Sequence, residues 1–250
     1  MKKNLALPAL ASAALLFPTA AAHTQQIDLG ALASQAAGTN AGTIMQLFGL
    51  LTILSLAPGI LIMVTSFTRF IIAFSVLRAG MGLQTTPANI ILVSLSLFMT
   101  FYVMTPTFDQ AWNNGMQPLI NHQITEQVAL ERIAAPFRTF MLKNVRPKDF
   151  DLFANLARQR GETIPSRDQV DLRILVPAFM ISEIRRGFEI GFLIVLPFLV
   201  IDLVVATITM SMGMMMLPPT VLSLPFKILF FVLIDGWNLL VGSMVRSFIS

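Results

Sequence analysis

The chain has 250 residues, of which 55% are hydrophobic and 12% charged, against about 25% charged in an ordinary soluble domain; its mean hydropathy is +0.75. It has no cysteine and only two histidines, His23 and His122, which excludes disulfide frameworks, thiolate catalysis and Cys- or His-built metal centres. The net charge of +4 comes without a long basic run, so nucleic acid is a poor partner and lipid is the expected surroundings.

Residues 1–22 follow the three-part pattern of an export signal. Lys2 and Lys3 precede an apolar stretch from Leu5 to about Phe17, and Thr19-Ala20-Ala21-Ala22 supplies small residues for cleavage after Ala22. The apolar stretch is short for a spanning helix, which takes about 20 residues. Residues 23–44 are small and polar and read as a loose tail.

Four apolar blocks follow. The first, Met45 to Leu77, is interrupted at Pro58-Gly59 and carries Arg69; the second, Ala88 to Met104, ends at Pro106. Together they make a first helical pair over 45–106. The third and fourth, Ile174 to Leu217 and Val221 to Ile249, make a second pair over 174–250. Each block is long enough to cross a bilayer. Between the pairs lies a polar insert, 107–173. Phe137 and Phe140, and likewise Phe150 and Phe153, stand three apart, with Leu152 and Leu156 nearby, so the insert is expected to form helices with apolar faces that pack on one another.

A cleaved signal places the insert outside the cytoplasm, in the periplasm of a two-membrane bacterium. Residues 107–187 hold 11 of the 17 basic residues, which would favour the cytoplasm on a positive-inside count. The same region has almost as many acidic residues, and that count is weak for long loops, so the signal decides the orientation.

Glu183, Arg185, Arg186, Glu189 and Asp202 lie within the third block, and Lys227 and Asp235 within the fourth. A charge at the middle of an isolated span costs roughly 2.5–3.5 kcal/mol, so these groups should face protein or water and pair. Arg185 with Glu189, or Glu183 with Arg186, can close within one helix. The cluster from Glu183 to Glu189 can instead mark the mouth of a span that begins near Phe188. Gly187 and Gly191 form a small-xxx-small face for close helix approach. Prolines 197, 218, 219 and 225 imply bent or broken helices sheltered by protein.

Met210, Met212, Met214, Met215 and Met216 crowd seven residues ahead of Leu217-Pro218-Pro219. Thioether side chains are flexible and fill irregular gaps, so a plain gap-filling helix end is one reading. Repeated around a symmetric assembly, they would form a dry constriction that stops ions yet yields to a passing chain.

These stretches resemble the FliP family of the flagellar export gate, whose relatives serve virulence-type type III secretion. The resemblance rests on Thr65-Ser66-Phe67-Thr68-Arg69-Phe70, Gln84-Thr85-Thr86-Pro87-Ala88-Asn89, Ile181-Ser182-Glu183, Gly187-Phe188-Glu189-Ile190-Gly191-Phe192, Leu196-Pro197-Phe198-Leu199-Val200-Ile201-Asp202, Met212-Gly213-Met214-Met215-Met216-Leu217-Pro218-Pro219, Leu224-Pro225-Phe226-Lys227 and Asp235-Gly236-Trp237. It implies an all-α membrane protein whose helical pairs bend into hairpins and assemble into a helical ring with FliQ-like and FliR-like subunits. FlhA-like and FlhB-like export components are the further expected partners, and unfolded proteins the cargo.

The same resemblance implies a pore gasket at Met214, Met215 and Met216, with Met210 and Met212 as neighbours. It implies assembly roles for Glu183 and the other interior charges, and a place in the basal body at the bacterial inner membrane. An equivalent virulence subunit and a small secondary transporter are the alternatives. The transporter would show repeat symmetry, and none is visible. No nucleophile–base set and no cofactor motif occurs, so the chain is read as non-enzymatic and cofactor-free.

Overall fold

The computed structural model describes residues 41–162, 166–167, 170–213 and 218–249. The expected signal, most of the expected tail, and Met214, Met215 and Met216 lie outside the described residues. Among the described residues the secondary structure is entirely helical, which lets an apolar chain satisfy its backbone groups away from water.

Helix α1 covers Ala41–Val64, starting four residues inside the expected tail and running unbroken through Pro58. The break in the first apolar block falls instead at Thr65-Ser66, before α2, Phe67–Gly80. There the backbone N–H of Phe67 is 3.4 Å from the Thr65 hydroxyl oxygen, which accepts from it. Both hydroxyl residues are buried. A proline removes one backbone bond, which a spanning helix can tolerate, whereas the Thr65 hydroxyl offers the backbone an alternative acceptor.

Helix α3, Asn89–Ala111, continues past Pro106, where the sequence pattern placed its end. A π-helical turn, Trp112–Met116, and the short α4, Gln117–Ile120, extend it, so Asn89–Ile120 is one 32-residue apolar run. The insert contributes α5, Glu126–Asn144, and α6, Pro147–Gln159. Helix α7, Leu172–Ser211, is 40 residues long, and α8, Pro219–Leu233, with α9, Gly236–Ile249, completes the second pair. Among the described residues three helical runs are long and apolar enough to cross a membrane, and the bent α8–α9 pair makes a fourth candidate.

Asp171 caps α7: its carboxylate accepts from the backbone N–H of Arg173 at 2.9 Å. The Arg173 side chain bonds the same carboxylate and, with that backbone N–H, holds it below the usual carboxylate range.

Residues 56–250 form one compact unit. Its first core joins Phe70, Phe74 and Leu77 of α2 to Leu92 of α3, Phe198 of α7, Phe231 of α8 and Phe248 of α9. A second core joins Met141 of α5 and Phe150 and Ala154 of α6 to Leu175 and Phe179 of α7. The insert faces therefore do more than cover each other. Phe137 meets Phe108 of α3 at 5.8 Å between ring centres, and Phe140 meets Phe179 at 5.8 Å. Leu152 and Leu156 stay exposed.

Candidate functional site

Helix α2 lies along α7, and two glycines permit it. Gly187 and Gly191 are both buried on α7. A methyl group added at Gly191 would stand 2.8 Å from Cβ of Val76, and one at Gly187 would stand 3.0 Å from Cβ of Ile72. The α2 backbone comes nearly as close, since the same methyl at Gly187 would be 3.2 Å from the Arg69 carbonyl oxygen.

That approach brings Arg69 to Glu183. Both side chains are fully buried, and the guanidinium takes the carboxylate with two donors: Nε to Oε2 at 2.9 Å, and Nη2 to Oε1. Glu183 therefore pairs across helices and not with Arg186 as the i,i+3 spacing allowed. A planar fork from a facing helix can satisfy both carboxylate oxygens at once, and Arg186 is only half-buried. Nothing in the spacing of the third block pointed to Arg69, 114 residues away; the available signal was an arginine standing alone in an apolar block.

Next to Glu183, Ser182 ties the insert to α7. Its hydroxyl accepts from the backbone N–H of Arg146 at 3.1 Å and donates to Asp149 at 2.7 Å. On the outer face, Arg185 and Glu189 pair at 2.8 Å, each about half exposed at 54%. Arg146 reaches the same Glu189 oxygen at 4.0 Å.

A second pair closes lower on α7. Lys227 of α8, 4% exposed, bonds Asp202 at 2.5 Å. Its ammonium also donates to the Gly80 carbonyl at 3.1 Å, and the Ser223 hydroxyl donates to Asp202 at 2.5 Å. This ties the end of α2 to α7 and α8.

Of the seven charges grouped as interior, the chain's own fold buries only Glu183 and Lys227 and half-covers Arg186 and Asp202. Arg185, Glu189 and Asp235 are exposed. Asp235 occupies the turn between α8 and α9 with φ of 51°. Aspartate tolerates that left-handed conformation better than most residues, and the two helices meet there at a 62° bend. Burial is a property of three-dimensional neighbours, which the apolar sequence around a charge does not supply.

Met210 and Met212 end α7 with 65% and 68% of their surface exposed. Beside them lies a cleft of about 750 Å³ between α7 and α8, lined by Val204, Ile208, Met212, Val221, Pro225 and Phe226 among others and almost wholly apolar. Among the described residues no group of three His, Asp or Glu side chains could hold a metal ion.

Residues 50–244 match the family model described as the FliP family. The chain is 67% identical over 244 residues to the flagellar biosynthetic protein FliP of Agrobacterium fabrum, covering 98% of this chain and 95% of the relative. To the FliP of Caulobacter vibrioides it is 47% identical over 249 residues, covering 96% and 92%. To that of Bacillus subtilis it is 46% identical over 209 residues, covering 84% and 94%. With its long apolar helices, its paired interior charges and a family match over most of its length, this chain belongs to the FliP family.

Proposed function

We propose that this chain is a pore-forming subunit of the flagellar protein-export gate, passing unfolded flagellar proteins across the bacterial inner membrane. The relatives that align with it over most of their length are named flagellar biosynthetic proteins, which favours a component of the flagellar export apparatus over a virulence homologue. In this reading residues 1–22 are a cleaved signal, residues 107–173 face the periplasm, and copies of the chain form a ring with FliQ-like and FliR-like subunits. FlhA-like and FlhB-like components deliver the cargo.

One observation carries the pore reading. The methionine-rich connection springs from the tips of two apolar helices, α7 and α8, and the methionines that open it project away from the chain's own core. Met210 and Met212, exposed at the end of α7, are suited to meet the same helix end of neighbouring copies. Met214, Met215 and Met216 would then form the dry constriction, with Met210 and Met212 beside it.

The test replaces Met214, Met215 and Met216 together with alanine and records ion conductance across the membrane alongside the yield of the complex. Raised conductance with normal yield is expected. Unchanged conductance would remove the gasket role.

A further inference from the structure

Arg69 has donors beyond the two that hold Glu183. Its Nη1 donates to the Ser247 hydroxyl at 2.7 Å and lies 3.4 Å from the Ser247 carbonyl oxygen. The Ser247 hydroxyl in turn donates to the Met244 carbonyl at 2.6 Å. Phe248 covers the guanidinium face, with Cζ 3.5 Å from the ring centre, close enough for a cation–π contact.

The same ring touches Phe70 of α2 at 5.8 Å and stacks on Phe140 of the insert at 5.9 Å and 22°. Four segments far apart in sequence, α2, α5, α7 and α9, thus meet around one buried cation. Phe248 is the aromatic that touches both the cation and the insert.

We infer that Ser247 and Phe248 of α9 are positioning residues that close the Arg69–Glu183 pair against water and thereby lock the insert helix α5 to the charged junction of α2 and α7. A buried guanidinium is stable only when its donors and its faces are covered. Glu183 takes Nε and Nη2, and α9 takes Nη1 through Ser247 and covers one face through Phe248. When α9 lifts, water reaches Arg69, and the stacking partner of Phe140 leaves with it. This inference is independent of whether the chain lines a pore.

A cysteine reporter tests it, because the chain has no cysteine of its own. Ser66 stands three residues before Arg69, is fully buried, and its hydroxyl makes no hydrogen bond among the described residues. In the full-length chain carrying S66C, purified in mild detergent, reaction with a water-soluble maleimide is followed over time. The parent should react slowly. Ser247→Ala or Phe248→Leu should accelerate labelling about ten-fold, the scale of one lost charge-assisted contact. Phe248→Trp keeps an aromatic face and should restore protection.

In an Arg69→Met, Glu183→Met background there is no charge to seal, and Phe248→Leu should then add nothing. Two results would overturn the inference: labelling that Ser247→Ala and Phe248→Leu leave at the parent's rate, or an equal acceleration by Phe248→Leu with and without the charge pair. The second outcome would make Phe248 ordinary packing. Ser247→Ala removes one hydroxyl, so the comparison stands even where Phe248→Leu reduces yield.

Discussion

Arg69 and Glu183 have given up water entirely, so each holds the other in place. Removing one partner strands a buried charge, at a cost of about 3–5 kcal/mol, while replacing both with apolar groups of similar volume is close to neutral. Arg69→Met alone should therefore sharply lower the thermal midpoint of the detergent-purified chain, and the Arg69→Met, Glu183→Met double variant should recover most of it. A double variant as unstable as the single would mean that the pair does more than neutralise itself. Asp202 is a different case. It is 28% exposed on its side chain, yet it is the carboxylate that neutralises nearly buried Lys227. Asp202→Ala should reduce the yield of assembled complex without raising ion leak, and normal yield would sink that expectation. That these residues carry interior charge was legible in the sequence, because ionised groups in apolar blocks stand out. Their partners were not: a charge can reach any helix that the fold brings alongside, and Arg69 reaches Glu183 across 114 positions.

At the scale of elements, α7 explains how one helix carries both charge and span. Its 40 residues extend to about 60 Å at 1.5 Å per residue, roughly twice the ~30 Å hydrocarbon layer. The stretch after Glu189, about 22 residues, is enough to cross the layer. The part before it packs on the insert through Ser182 and on α2 through Glu183. Glu183 is thus covered by protein in that half of α7, while Arg185 and Glu189 stay exposed beside it. The α2–α7 seam depends on its glycines. Gly191→Val would drive branched methyl groups into Val76, and overpacking of this kind costs about 1–3 kcal/mol. A lowered thermal midpoint for Gly191→Val is expected, with a smaller drop for Gly191→Ala. An unchanged midpoint in both would mean that the helices part without penalty. Helix breaks were less legible than helices. Proline marked Pro58 and Pro106 as ends, but both lie inside helices. The breaks at Thr65-Ser66 and at Ile234-Asp235 go with the Thr65 hydroxyl acceptor and a left-handed turn residue.

At the scale of the molecule, the exposed surface is strongly apolar even where helices are already packed. Phe98, Phe101, Tyr102 and Trp112 on the run from α3 are all more than half exposed, as are Val200, Leu203 and Leu233 on the second pair. Lipid and protein neighbours must cover such a surface between them. Purification through a C-terminal tag in mild detergent should yield a discrete particle containing several copies of this chain with small membrane subunits. A lone monomer from cells that make the whole apparatus would count against the ring reading.

By itself the sequence determined the all-helical membrane class, the four apolar blocks, the helical insert and the family resemblance. Each of these rests on local composition and order, which need no tertiary neighbour. Only the tertiary structure decided which charges are buried, which partners they take and where helices break. It also decided that the insert shares its core with the spanning helices, with Phe140 stacked on Phe248 and edge-on to Phe179. Those outcomes depend on distances between residues far apart in the chain, and hydrophobic pattern carries no information about such distances.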